Sequence, residues 1–408
     1  MNNEVTPRCW ILDVHYSILK PSNEQFYAYY VTLCEVDRLS FTRSPIMKWK
    51  PFAQKTVSGK PKKSKTREWL DAILFAVVAS TIIRGLLFSA YAIPSSSMEG
   101  TELTGDYLFV SKIAYGPRMA FTPLSIPFTE PEIHGIKTYS DAVKLPYYRL
   151  PGLSEVKKGD IVVFNKPSET DKPIDERTTL IKRCQATPGD VITIINSQVY
   201  VNGKAAPNAV KAQTSYDVVT DGKELNPQML EDLHIEIRQQ KDANTYEMII
   251  PNTSLSTLKS YSNIKSVIAD IQPAGQYDPS VFPGNEKFKW NIDNFGPLKL
   301  PKRGWTVTLN DSTILLYRKA IETYEHNKVE MNGKDISING KKVPTYTFKM
   351  NYYWMMGDNR HNSLDSRFWG YVPEDHIIGK AVVNWLSLDS TKDVFHKVRW
   401  NRIFKLIN

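Results

Sequence analysis

The sequence predicts a mostly-β protein: a single N-terminal transmembrane helix followed by an antiparallel, β-rich domain that carries a large insertion. Two observations carry this prediction. One long apolar run, at 69–93, stands directly behind a strongly basic segment. Beyond it the hydrophobic pattern changes from a helical to a strand period, and Asn-Gly pairs recur between the apolar stretches. A chain of 408 residues is long enough for two or three domains and a sizeable core. With 41% hydrophobic and 23% charged residues, wholly disordered and collagen-like readings are excluded. The three cysteines, Cys9, Cys34 and Cys184, cannot build a disulfide scaffold, and none forms a CxxC pair suited to zinc or redox chemistry.

Residues 1–47 carry four basic and five acidic side chains. Their apolar patches, ILDVHYSIL and FYAYYVTL, are separated by Pro21 and by charges, and neither is long enough to span a bilayer. They are expected to form a cytoplasmic extension whose structure the sequence leaves open. Residues 48–66 are expected to be a basic cytoplasmic linker. Eight lysines and arginines and no acid fall in 48–67, so nearly all of the net charge of +9 sits in one stretch. Pro51, Ser58, Gly59, Pro61 and Ser64 make that stretch extended and solvated.

From Ala72 to Ile83 the chain has no charge, and Arg84 and a second apolar run follow. Trp69 at one end and a snorkelling Arg84 at the other place a membrane span at 67–87. A span reaching 93 would put Arg84 near the bilayer centre, at a cost of about 3 kcal/mol or more. The basic flank sets the N-terminus inside and residues 88–408 outside. The alternative is a buried core helix behind a basic run. The apolar run starts too deep in the chain for a cleaved leader.

Short β-branched and aromatic runs at 106–112, 160–164, 190–195, 198–201, 305–309, 313–317 and 381–385 are expected as strands of one domain covering 88–390. Asn202-Gly203, Asn332-Gly333 and Asn339-Gly340 are hairpin signals. The mixed, polar stretch that begins near 205 reads as an insertion running to about 350, with a helix near 227–240. Residues 391–408 form a C-terminal tail.

Three stretches are dense in polar and turn residues between apolar runs. The first is Pro94-Ser-Ser-Ser-Met98, at the membrane exit. The second is Leu180-Ile-Lys-Arg-Cys184, followed by Pro188-Gly-Asp190. The third runs from Met356 to Gly370 and holds Asp358, Arg360, His361, Ser363, Asp365 and Arg367 between apolar anchors. Singly, the first reads as a turn and the second as a snorkelling edge-strand lysine. Strand alternation sets Leu180, Lys182 and Cys184 on one face, and an ammonium there is costly to bury unless it is paired or neutral. A serine hydroxyl needs an adjacent base to act as a nucleophile near neutral pH. The seven histidines are scattered, and no Ser-His-Asp arrangement stands out. A lysine whose pKa falls from about 10.4 toward neutrality on burial can serve as that base. Lys182 is the best placed candidate, and Ser–Lys pairs are a known variant of the nucleophile–base scheme.

In order, the chain has an anchor, PSSSM, GDIVVF at 159–164, IKRC with PGD, then GDNR, NS, DSR and WG within 357–370, VP at 372–373 and GKA at 379–381. This order resembles bacterial type I signal peptidase, over about 68–203 and 351–385. The resemblance implies a β-rich catalytic domain on the outer face of the cytoplasmic membrane. It implies a serine endopeptidase that removes signal peptides from exported preproteins, cutting after small residues in an A-x-A-like pattern. Ser97 then matches the nucleophile, Lys182 the general base, and Ser95 an oxyanion-hole hydroxyl acting with the N–H of Ser97. Ser363 matches a serine that hydrogen-bonds and orients the lysine. Asp365 and Arg367 match a supporting ion pair, and Asp358 and Arg360 are expected to be structural. No metal or organic cofactor is implied. The partners implied are preproteins and membrane lipid, and no nucleic acid.

The chain departs from the family pattern at a few positions. His361 stands where the family often has aspartate, and little effect is expected of it. Ala186 stands where glycine is common, and Ser96 and Glu99 occupy variable positions. The main alternative is a degenerate, membrane-anchored scaffold that binds without cutting. Retention of both Ser97 and Lys182 argues against it. A self-cleaving repressor would need a soluble DNA-binding module where this chain has a span. General nucleic-acid binding would need basic residues spread over a folded face, whereas 68–408 carries a net charge of only +2.

Overall fold

The computed structural model describes residues 64–407 apart from Pro127, Phe128, Glu130, Lys334 and Phe395. The extension expected at 1–47, and the linker as far as residue 63, lie outside the described residues. The Ser64 hydroxyl accepts the N–H of Arg67 at 3.3 Å, satisfying one of the partnerless donors of a first helical turn. Helix α1 therefore begins at once and runs Lys65–Leu86, where 67–87 was expected. Its 22 residues reach about 33 Å, enough to cross the apolar core of a bilayer. None of its side chains is buried, and among the described residues it is the one helix long and apolar enough to span.

Leu87 closes α1 by donating its N–H to Ile83 O at 2.8 Å, and the first strand follows directly. The central sheet is built from β1 (Phe88–Ala92), β2 (Asp106–Ser111), β3 (Ile161–Asn165), β4 (Thr179–Ala186), β5 (Tyr352–Met356) and β6 (Ile377–Ser387). Their order is β1-β2-β6-β3-β4-β5, extended past β5 by Val372–Pro373, and every neighbouring pair is antiparallel. Among the described residues strand thus outweighs helix, as the period-2 runs predict. β3 is buried along its whole length, so it reads as a continuous apolar run rather than an alternating one. β6 pairs with β2, β3 and the short strand Lys405–Leu406, tying the C-terminal tail to the sheet.

A second sheet pairs Phe295–Lys299, Val191–Ile195, Gln198–Val201 and Lys204–Ala205. Its apolar residues join the largest core cluster, with Trp354, Tyr352 and Tyr371. Between these strands, Gln213–Thr220, Glu236–Gln240, Thr245–Pro251 and Ile264–Ala269 form a separate four-stranded sheet. It has its own core of Val218, Met229, Met248, Ile250 and Leu258.

Two local expectations are corrected. Residues 313–317 are not a strand but the start of the helix Thr313–Lys319. The Asn310 side chain accepts the N–H groups of Ser312 and Thr313, at 2.9 and 3.0 Å, and so nucleates the turn. Ile314, Tyr317 and Ile321 then share a buried face at helical spacing. The helix near 227–240 covers only Pro227–Asp232. His234 takes a left-handed φ of 53°, the chain reverses, and the remainder is the edge strand Glu236–Gln240.

Candidate active site

Pro94 ends the run of β1. Ile93 is held on both sides, donating to Asp106 O at 2.8 Å and accepting from Gly105 N–H at 2.9 Å. Ser95 is extended, and Ser96–Met98 then form a single 3-10 turn. Met98 is the anchor of that turn: it is fully buried among Ile93, Leu108, Val110, Ile161 and Val163. Its carbonyl accepts the N–H groups of Thr101 and Glu102. With Met98 pinned, Ser97 cannot rotate away, and its side chain is buried.

Lys182 lies on β4 opposite Val162 of β3. Its neighbours on the strand divide as alternation requires: Leu180 and Cys184 enter one apolar cluster and Ile181 another. Lys182 Nζ stands 2.6 Å from Ser97 Oγ and donates to Ile181 O at 2.9 Å. The side chain is 3% exposed. Burial lowers its pKa to about 8, against the opposing attraction of Asp365 and Asp358. Ser95 is exposed, and its Oγ lies 3.4 Å from Ser97 Oγ, longer than an ordinary hydroxyl hydrogen bond.

The third motif leaves β5 at Met356 and folds against the serine turn. Gly357 must be glycine here, because a Cβ would overlap both the carbonyl oxygen of Ser97 and the hydroxyl of Ser363. The buried Ser363 is therefore beside the pair, but its Oγ makes no hydrogen bond, so the bond to Lys182 implied by the resemblance is not formed. Asp365 and Arg367 do meet, in a fully buried two-point ion pair at 2.9 and 2.8 Å. Burial would raise the Asp365 carboxyl, but the Arg367 guanidinium together with the backbone N–H groups of Gly357 and Arg367 outweighs it and holds the pKa down. Asp365 also accepts the N–H of Gly357, and Arg367 donates to Arg360 O, so the pair clamps both ends of the loop.

Several contacts in the site have no counterpart in the sequence reading. Asp358 pairs with Arg183, the residue after the lysine, and accepts the Thr101 hydroxyl at 2.6 Å. One carboxylate thus joins the second and third motifs to Thr101, three residues after the first. Asn359 donates its backbone N–H to Ser97 O at 3.2 Å and its amide to Ser96 O at 3.3 Å, and the Asn362 amide donates to Ser96 Oγ at 3.0 Å. Their place in the third motif was visible, but not that they grip the serine turn. The C-terminal tail also takes part. Arg402 reaches the buried carboxylates Glu102 and Asp106, just after the serine turn, and donates to Thr101 O at 3.0 Å. Burial pushes the Glu102 carboxyl up, while hydrogen bonds from Arg402, Ser387 and the Leu103 N–H outweigh burial at Asp106 and hold it down. Among the described residues no three His, Cys, Asp or Glu side chains are grouped so as to hold a metal ion.

The arrangement pairs a buried hydroxyl with a buried amine of lowered pKa, on a rigid sheet and beside an exposed second hydroxyl. The sequence profile of the family described as "Signal peptidase, peptidase S26" matches residues 66–258 and 303–386. The chain is similar to signal peptidase I of Buchnera aphidicola subsp. Acyrthosiphon pisum, with 25% identity over 86% of this chain and 85% of the relative. Signal peptidase I of Aquifex aeolicus is 24% identical over 79% of this chain and 84% of that one. A shorter match, to signal peptidase I of Rickettsia bellii, is 31% identical over 38% of this chain and 45% of the relative.

Proposed function

Since the chain belongs to the signal peptidase S26 family, as a bacterial type I signal peptidase, we propose that it is a membrane-anchored serine endopeptidase acting on exported preproteins through a Ser97–Lys182 dyad. The observation that carries the dyad is the 2.6 Å approach of Lys182 Nζ to Ser97 Oγ, with both side chains buried. Neutral Lys182 takes the Ser97 proton as Oγ attacks the scissile carbonyl, and returns it to the leaving amine. The acyl-enzyme is then hydrolysed by a water that the same amine deprotonates. The first N–H groups of a helical turn have no partner within it, which leaves the Ser97 N–H to stabilise the oxyanion with the Ser95 hydroxyl. Asp365–Arg367 and Arg183–Asp358 hold the loops that meet at the pair.

The anchor is α1, with the basic linker on its cytoplasmic side. β1 alone separates its end from the serine turn, so Ser97 works close to the outer face of the cytoplasmic membrane. A peptide leaving the same bilayer is then the accessible substrate, and shallow pockets for small residues select the cleavage point.

The test uses the full chain, purified in detergent, and a preprotein with an A-x-A cleavage site. Ser97→Ala and Lys182→Ala should each abolish cleavage while leaving the thermal transition in place. Full activity in either variant overturns the dyad. Wild-type protein that binds the preprotein and leaves it whole overturns the enzymatic reading in favour of a scaffold.

A further inference from the structure

We propose that His361 is a positioning residue that ties the serine turn to the inserted four-stranded sheet, so that the insertion holds the backbone of Ser97 in register with Lys182. This rests on the reading of Ser97 as the nucleophile.

His361 is the middle residue of the 3-10 turn Arg360–Asn362. The asparagines on either side of it, Asn359 and Asn362, are those that grip Ser96 and Ser97. Its imidazole points the other way. Nδ1 accepts the backbone N–H of Ser215, on the strand Gln213–Thr220, at 3.1 Å. An acceptor nitrogen carries no proton, so the ring proton sits on Nε2 and is donated to Asp293 Oδ1 at 3.0 Å. The side chain is 7% exposed, and Asp293 is completely buried.

Asp293 is itself fixed from several directions. It accepts the Ser197 hydroxyl, on the turn before Gln198–Val201, and the N–H of Gln272, while the Asn291 side chain accepts its own N–H. Two further bonds join the loop to the inserted sheet, and a third joins it to the segment that carries Asp293. Gln213 donates its N–H to Asp358 O at 2.9 Å, Arg238 donates to His361 O at 3.3 Å, and Arg367 donates to Ile292 O at 3.4 Å. The charged groups around the ring are therefore Asp293, Arg367 behind Asp293, and Arg238 with its partner Glu247 on the inserted sheet.

The histidine and Asp293 form a matched pair. An aspartate at 361, common in the resembled family, would be too short to bridge Ser215 and Asp293. It would also set two buried carboxylates against each other, and like charges in one buried site cannot both ionise. A loop that loses this tie keeps its own ion pair and the bonds to Gln213, Arg238 and Ile292, but loses the side-chain bridge that joins it to Ser215 and Asp293 at once. The nucleophile then shifts relative to the base, and misplacement of about 1 Å costs on the order of a hundredfold in rate.

The experiment compares wild type, His361→Ala, His361→Asn and His361→Asp in preprotein cleavage by the full chain in detergent. Amide hydrogen exchange of the peptides covering 96–102 and 357–363 is followed in parallel. His361→Ala should lower kcat about ten- to a hundredfold with KM changed less than about threefold. The midpoint of the pH profile should stay where it is in wild type, and exchange at Asn359 should quicken. His361→Asn keeps an oxygen that can accept the Ser215 N–H, so it should recover part of kcat. In His361→Asp the loss should be relieved by a second change, Asp293→Asn, which replaces one of the two carboxylates by a donor. Wild-type kcat in His361→Ala overturns the tie, as does a loss that neither His361→Asn nor the Asp293→Asn double variant relieves. If His361→Ala does not fold, the Asp and Asp/Asn pair decide the question alone. Activity retained by Ser97→Ala would overturn the dyad instead, so the two failures are told apart.

Discussion

Lowering the pH should silence the enzyme through Lys182 before it disturbs the fold. The base must be neutral to take the Ser97 proton, so the active fraction is the deprotonated fraction of the lysine. With the amine titrating at about 8, half of it is neutral at pH 8, about a tenth at pH 7 and about a hundredth at pH 6. An exposed lysine, titrating near 10.4, would be neutral to only about 0.4% at pH 8. Burial therefore raises the usable fraction about a hundredfold, and that is the catalytic return on placing an amine inside a strand. The assay is kcat/KM for preprotein cleavage by the full chain in detergent, from pH 5.5 to 9.5. The thermal transition is recorded at each pH. The expected profile rises tenfold per pH unit below about 7.5 and flattens above about 8.5. A rate that stays level from pH 9 down to pH 6 refutes Lys182 as the base. So does an acid limb centred near 6.5, which would point to an unperturbed histidine.

The same burial has a cost in stability. Unfolded, Lys182 holds its proton up to about 10.4, whereas the folded protein releases it near 8, so folding stability from this group rises with pH across that window. At pH 7 the folded state carries a penalty of about 3 kcal/mol, and Lys182→Met should raise the melting temperature at pH 7 while abolishing cleavage. Ser95→Ala, which removes one oxyanion donor, should lower kcat about a hundredfold with little change in KM and none in melting temperature. Arg402→Ala strips the cation from the buried carboxylates Glu102 and Asp106 and should destabilise the protein by about 3 kcal/mol, measured by denaturant unfolding at pH 7.5.

The elements that could be read from the sequence are those whose pattern allows only one structure. The apolar run as far as Leu86 is too long to be anything but a helix, while its end at Phe88–Ala92 turns into strand β1, and most strands follow from period-2 runs bounded by turns. Residues 313–317 failed for a physical reason. TILLY fits a buried strand and a buried helical turn equally well, and the choice lay in the Asn310 cap, outside the run. The site divides in the same way. Ser97 and Lys182 are named by motifs that lie side by side in the chain order of a known family, and the geometry sets them in contact. Arg402 is invisible, because its contacts to Glu102 and Asp106 join the last residues of the chain to the turn after Ser97, and nothing in a basic tail says which carboxylate it will meet. Asn359 and Asn362 carry no visible role in the sequence, since an asparagine in a loop is ordinary until its partner is known.

The two buried Asp–Arg pairs explain how a lysine can be neutral beside acids. Asp365 and Asp358 both attract the Lys182 ammonium, and either one unpaired in a buried site would favour its charged form. Each is instead taken by a guanidinium: Asp365 by Arg367, and Asp358 by Arg183 on the lysine's own strand. Both contacts are two-point, so each carboxylate is largely neutralised where it stands, and burial decides the titration. The pairs are thus electrostatic insulation as well as loop clamps. On this reasoning the dense run of charges between Met356 and Gly370, which in a solvated loop would mean nothing, is what a lysine base requires of its surroundings.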